Sequence, residues 1–110
     1  MEDLAERTEP ETGRREIMGV ARLSRPGGIP DEAEFSVLIS DRFQRRGLGT
    51  LLVSKLLEVG RAEGLRRITA DILFENYPMQ RISRNLGFHL HRDTEEMVMK
   101  ADLDLYQAAR

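Results

Sequence analysis

The segment Gln44-Arg45-Arg46-Gly47-Leu48-Gly49-Thr50 carries the residue types that hold a phosphate-like anion. Glycines at 47 and 49 permit tight turning and leave main-chain N–H groups free to converge on one point. A leucine-striped segment follows. A helix starting there adds unpaired N–H groups and about half a positive charge, which together suit a pyrophosphate. Arg42, Arg45 and Arg46 set three cations beside the glycines, as a solvated basic turn or as part of a small anion site. Two other phosphate loops do not match. A Walker A loop ends in Gly-Lys-Ser/Thr, whereas Thr50 and Leu51 follow Gly49. A dinucleotide fingerprint needs a third glycine where Leu52 stands. Glycines alone serve a ligand-free turn equally well, so the loop needs a second signal.

The elements around this loop can be read from periodicity. Residues 1–14 are charge-rich with a turn signal at Pro10-Glu11-Thr12-Gly13, a frayed arm or the first strand of a hairpin. Arg15 to Ser24 alternates as a strand, with Ile17, Gly19, Ala21 and Leu23 on one face. After a glycine- and proline-rich loop, Glu34 to Ser40 alternates again, with Phe35, Val37 and Ile39 on one face. From Gly49 to about Glu63 the period becomes helical, with a stripe of Leu48, Leu52, Leu56 and Val59 broadened by Leu51. Gly64 suits the end of this helix, and Gly60 predicts early fraying. Arg67 to Phe74 is a strand, expected parallel to 34–40 through a right-handed crossover. A short helix runs from about Pro78 to Leu86, and Phe88–Arg92 and Glu96–Leu103 form a terminal hairpin. No repeat or internal boundary interrupts residues 1–110, so one domain is expected.

Composition narrows the classes. Charged content of 33% and hydrophobic content of 40% describe a globular domain. The net charge of −2 argues against a nucleic-acid binder. No apolar run approaches the ~20 residues of a membrane span. The acidic start Met1–Arg7 has no apolar region like that of a secretory signal, and there is no cysteine, so a cytoplasmic location is expected. His89 and His91 share one strand face without an evident third ligand, so no metal is expected.

A second motif lies downstream of the glycine loop. Gln44-Arg45-Arg46-Gly47-Leu48-Gly49 resembles the Q/R-x-x-G-x-G/A signature of the GNAT superfamily of N-acetyltransferases. Asn76-Tyr77-Pro78-Met79 followed by Leu86-Gly87-Phe88 resembles that family's Asn-x-x-Ala … Gly-Phe segment. Within the superfamily, Glu32–Ile39 and Glu75–Met79 look most like GNAT domains found beside NDP-forming acyl-CoA synthetase-like domains, some of which acylate protein lysines.

The resemblance implies an α/β (α+β) GNAT fold, a mixed, mostly antiparallel sheet with two helices. It implies acetyl-CoA as co-substrate and no metal. The backbone of Val37, Leu38 and Ile39 would pair with the pantetheine arm. Gln44, Arg45, Arg46, Gly47, Leu48, Gly49 and Thr50 would hold the pyrophosphate, and Asn76 would hydrogen-bond the pantetheine or simply cap its helix. The acceptor would be a primary amine, of a protein lysine or a small molecule.

An amine with a pKa near ~10.4 must lose a proton before it attacks a thioester. Glu34 is the candidate base: it lies about 17 Å along an extended strand from Ile39 at ~3.3 Å per residue, about the reach of a pantetheine arm. Glu32 and Asp71 are weaker candidates. Many family members protonate the departing thiolate with a tyrosine, and at that position this chain has Ser83. A thiol of pKa ~8.5 leaves without strong acid help; Ser83 is the candidate donor or water-positioning residue.

Relatives usually precede these elements with a strand and two helices, so the chain reads as an N-terminally truncated domain. The bare sheet face this leaves predicts a homodimer or a companion domain. The competing readings are a non-catalytic acyl-CoA-binding sensor or regulatory module, and a structural remnant that binds no CoA.

Overall fold

Alternation and turn chemistry build the sheet. The computed structural model describes residues 2–8, 10–25, 29–40, 44 and 47–108. The strands are β1 (Glu2–Thr8), β2 (Arg15–Ser24), β3 (Glu32–Ile39), β4 (Arg67–Leu73), β5 (His89–Asp93) and β6 (Val98–Asp104). The helices are α1 (Leu48–Ala62), α2 (Tyr77–Asn85) and the short α3 (Leu105–Ala108). The strand order is β1-β2-β3-β4-β6-β5. Of the two readings of the N-terminal residues, the hairpin is the one formed: β1 pairs antiparallel with β2. The β3–β4 pair is parallel, as a strand–helix–strand succession requires, and the remaining pairs are antiparallel.

Both longer helices lie on one face of the sheet. On that face Ala21, Leu23, Ala33, Phe35, Ile68, Ala70, Ala101 and Leu103 meet Leu52, Val53, Leu56 and Leu57 of α1. Phe88, just after α2, packs edge-on against Phe35 with ring centroids 5.4 Å apart. Burial of this kind, at roughly 25 cal/mol per Å² of apolar surface, is the main term holding the layers together.

Two details of α1 differ from the sequence reading. Its buried stripe keeps the expected Leu52 and Leu56 but is broadened by Val53, Leu57 and Gly60, while Leu51 is 57% exposed. The helix also does not fray at Gly60 but continues to Ala62. A Cβ at Gly60 would stand 2.8 Å from Cδ1 of Ile68, so glycine here allows α1 to lie close on β4. Both helices then end in one device. Leu65 N–H donates to the Gly60 carbonyl and Gly64 N–H to that of Arg61; Phe88 N–H donates to Ser83 and Gly87 N–H to Arg84. Gly64 and Gly87 have φ of 75° and 102°, the left-handed conformation this motif needs.

Candidate functional site

The parallel pair β3–β4 opens into a wedge. Registered pairing covers only Glu32↔Arg67, Ala33↔Ile68 and Glu34↔Thr69. Yet β3 runs on to Ile39 and β4 to Leu73. Past Glu34, β3 remains paired with β2 on its other side, so its edge toward the wedge offers N–H and C=O groups to an extended ligand. A groove of about 210 Å³ occupies this opening.

Each wall of the groove has a local cause. β3 contributes Val37, Leu38 and Ile39. Gln44 is held beside them by its Nε2, which donates to the Ile39 carbonyl at 3.3 Å. Gly47 turns the chain into α1 with φ 77° and ψ 2°, and no side chain caps that helix among the described residues. With no acidic residue in the first turn, the positive end of the helix stays uncompensated beside the groove. Gly49 is buried because an added Cβ would meet Ile82 Cδ1 at 2.8 Å and Ile39 Cδ1 at 3.2 Å. Its missing side chain brings the start of α1 down onto both groove walls.

The opposite wall comes from the start of α2. Asn76 caps it, Oδ1 accepting from the Met79 N–H at 3.2 Å. An N–H can only donate, so the oxygen faces the helix; Asn76 lines the groove, and its NH2 has no hydrogen-bond partner among the described residues. Pro78, Met79 and Ile82 complete the lining. These three were not among the expected site residues. Met79 and Ile82 stand three apart on a helix, a spacing that marks one apolar face.

The remaining expected residues fall elsewhere. Leu48 is half-buried and Thr50 exposed at the rim, neither in the lining. Arg42, Arg45 and Arg46 lie outside the described residues. Ser83 is not brought into the groove: it is fully buried, and its Oγ has no hydrogen-bond partner among the described residues. The cause is its place on the core side of α2.

Glu34 sits at the closed vertex of the wedge, on the helix-free face. There it lines a polar depression of about 330 Å³ with Thr69, Asp71, Lys100 and Asp102. The rival carboxylates are engaged: Glu32 bridges Arg67 at 3.4 Å, and Asp71 bridges Lys100 at 3.0 Å. The Glu34 carboxylate makes no such pair among the described residues. Glu96 at 2.6 Å and Asp71 together hold the Lys100 ammonium above the usual lysine range. His89 and His91 also stand on this face, exposed, and the described residues include no group of three metal-ligating side chains.

A sheet that splays beside a glycine-led helix start, with an asparagine-capped helix opposite, defines a mixed α+β scaffold with a groove at the splay. The family model of the acetyltransferase (GNAT) domain matches residues 4–89. The chain belongs to this family. It is 30% identical over 83 residues to the acetyltransferase Pat of Mycolicibacterium smegmatis, covering 76% of this chain and 25% of that protein. Among solved structures, the GNAT domain of S. lividans PAT superposes with a TM-score of 0.71 at 30% identity, over 84% of this chain and 56% of that one. The protein yncA of Salmonella typhimurium, solved with its cofactor acetyl-CoA, has a TM-score of 0.69 at 24% identity, over 81% and 58%. The chain thus spans a quarter of the length of the curated relative and over half of these solved chains.

Proposed function

We propose that this domain transfers an acetyl group from acetyl-CoA to a primary amine, on a protein lysine or a small molecule, by direct attack on the thioester. The observation that carries the reading is the wedge: an unpaired β3 edge from Val37 to Ile39, leading from the Gly47 turn toward Glu34. An extended pantetheine laid along that edge meets backbone donors and acceptors, with its amide groups also within reach of Asn76. Its pyrophosphate meets the open end of α1 at Gly47 to Thr50, where the Arg45 and Arg46 main chain would join. Val37, three residues or about 10 Å from Glu34, marks how far such an arm must extend.

At the vertex, Glu34 takes the proton from the attacking ammonium. The free amine adds to the thioester carbonyl, the C–S bond breaks, and the second proton that the nitrogen sheds on becoming an amide passes through water to the departing thiolate. The helix-free face beside Glu34 is the side from which the acceptor enters. A second copy or a companion domain covers the rest of that face.

Glu34→Gln tests the chemistry. Acetyl-CoA binding is expected to stay within twofold, while thiol release with an amine acceptor falls about 10²–10⁴-fold, the usual worth of a general base. Undiminished turnover would remove Glu34 from the mechanism. A second reading, a non-catalytic acyl-CoA-binding module, draws support from Ser83, which lies in the core and not at the groove. Tight acetyl-CoA binding without thiol release across a broad amine panel would decide for it.

A further inference from the structure

Gln80 is a nearly buried polar side chain, 9% exposed, in the second turn of α2. Its Nε2 donates to the carbonyls of Leu73 at 3.1 Å and Phe74 at 2.9 Å. Leu73 is the last residue of β4, opposite Val98, and Phe74 follows just past the strand's end. The Leu73 carbonyl also accepts the Asn76 N–H at 3.0 Å, and the Gln80 N–H reaches the Asn76 carbonyl at 3.2 Å. The outer side of the joint is covered by Arg92, whose guanidinium lies 4.4 Å from the Phe74 ring centre.

Asn76 therefore lies between Leu73, which accepts its N–H, and Gln80, whose N–H reaches its carbonyl, and the Gln80 side chain ties those two flanking residues together. Its backbone, at φ −85° and ψ 69°, is neither helical nor extended, and those bonds hold it there. Only a neutral amide supplies two donors at one nitrogen without bringing a charge into the interior; an ionised glutamate would offer acceptors to two carbonyls.

We propose that Gln80 is a positioning residue for the cofactor groove: it locks the joint between β4 and α2 and thereby aims the Asn76 amide at the pantetheine of an acyl-CoA. This rests on the reading that Asn76 contacts acetyl-CoA, and the two fail differently. The test is a double-mutant cycle of Asn76→Ala and Gln80→Met, read by calorimetric acetyl-CoA affinity and by turnover at saturating acetyl-CoA. Each single variant is expected to weaken binding about tenfold, equivalent to one mispositioned hydrogen bond. For Gln80→Met, turnover at saturating acetyl-CoA stays within twofold. In the Asn76→Ala background, Gln80→Met adds less than twofold, because the group it aims is gone.

Independent, multiplicative losses would overturn the proposal and make Gln80 a purely structural residue. An Asn76→Ala affinity equal to wild type would overturn the site reading and the proposal with it. A variant-free measurement guards against a misfolded Gln80→Met. In the wild-type chain the Gln80 side-chain NH2 protons are expected to resist solvent exchange at least tenfold more than those of Gln44, which is exposed. The Asn76 NH2 signals should shift on acetyl-CoA addition. Gln80 protons exchanging as fast as those of Gln44 would overturn the proposal directly.

Discussion

At the scale of single residues, the candidate site separates two kinds of carboxylate. Glu32 and Asp71 were plausible bases by sequence, but each sits in an ion pair across the sheet, while Glu34 stands at the wedge vertex without one among the described residues. Lys100 does this for Asp71, and Glu96 shares the same ammonium. Because the folded state raises the Lys100 pKa above the ordinary 10.5, its stabilising contribution is complete below that value. It is lost as pH rises past 10.5 toward the higher folded value. Lys100→Met is expected to lower the thermal midpoint by the same small amount at pH 7 and pH 9. The gap to wild type should narrow above about pH 10.5; a gap constant up to pH 12 would refute the pairing.

At the scale of elements, glycines set how closely helices approach strands. Gly49 and Gly60 bracket α1 and both lack room for a methyl group. At Gly60 two effects oppose. Alanine gains about 1 kcal/mol of helix propensity, but its methyl would lie 2.8 Å from Cδ1 of Ile68, which is fully buried. Overpacking of this kind costs about 1–3 kcal/mol. Gly60→Ala is thus expected to lower the melting temperature by several degrees, and Ile68→Val in the same chain to restore part of it. A Gly60→Ala chain more stable than wild type would show that α1 can shift off β4.

At the scale of the molecule, the two sheet faces differ. The helix side is closed by α1 and α2, whereas the other face carries exposed Leu4, Leu38 and Leu73. Register places Leu4, Val20 and Leu38 side by side across β1, β2 and β3. An apolar band of this kind favours association. If a second copy covers it, sedimentation at tens of micromolar is expected to give a dimer, and Leu4→Glu a monomer with an unchanged circular dichroism spectrum. A wild-type chain that sediments as a monomer would leave a companion domain as the cover.

The sequence by itself determined the strand and helix succession from Arg15 to Leu103, the parallel pair, the glycine end of α1 and the loop–asparagine–Gly-Phe spacing, and left the first strand open. These are local: period, turn residues and caps act within a few positions of the chain. It also marked Val37, Leu38, Ile39, Gln44, Gly47, Gly49 and Asn76, which the fold gathers around one groove. What only the tertiary structure decided depends on neighbours distant in sequence. The end of β3–β4 pairing at Glu34 opens the wedge. Gly60 meets Ile68 of β4 without a side chain between them, and α1 runs on to Ala62. The core side of α2 removes Ser83 from the groove, and cross-strand ion pairs engage Glu32 and Asp71 but not Glu34. None of these has a signature within a short window of sequence, because each follows from which surfaces meet when the layers pack.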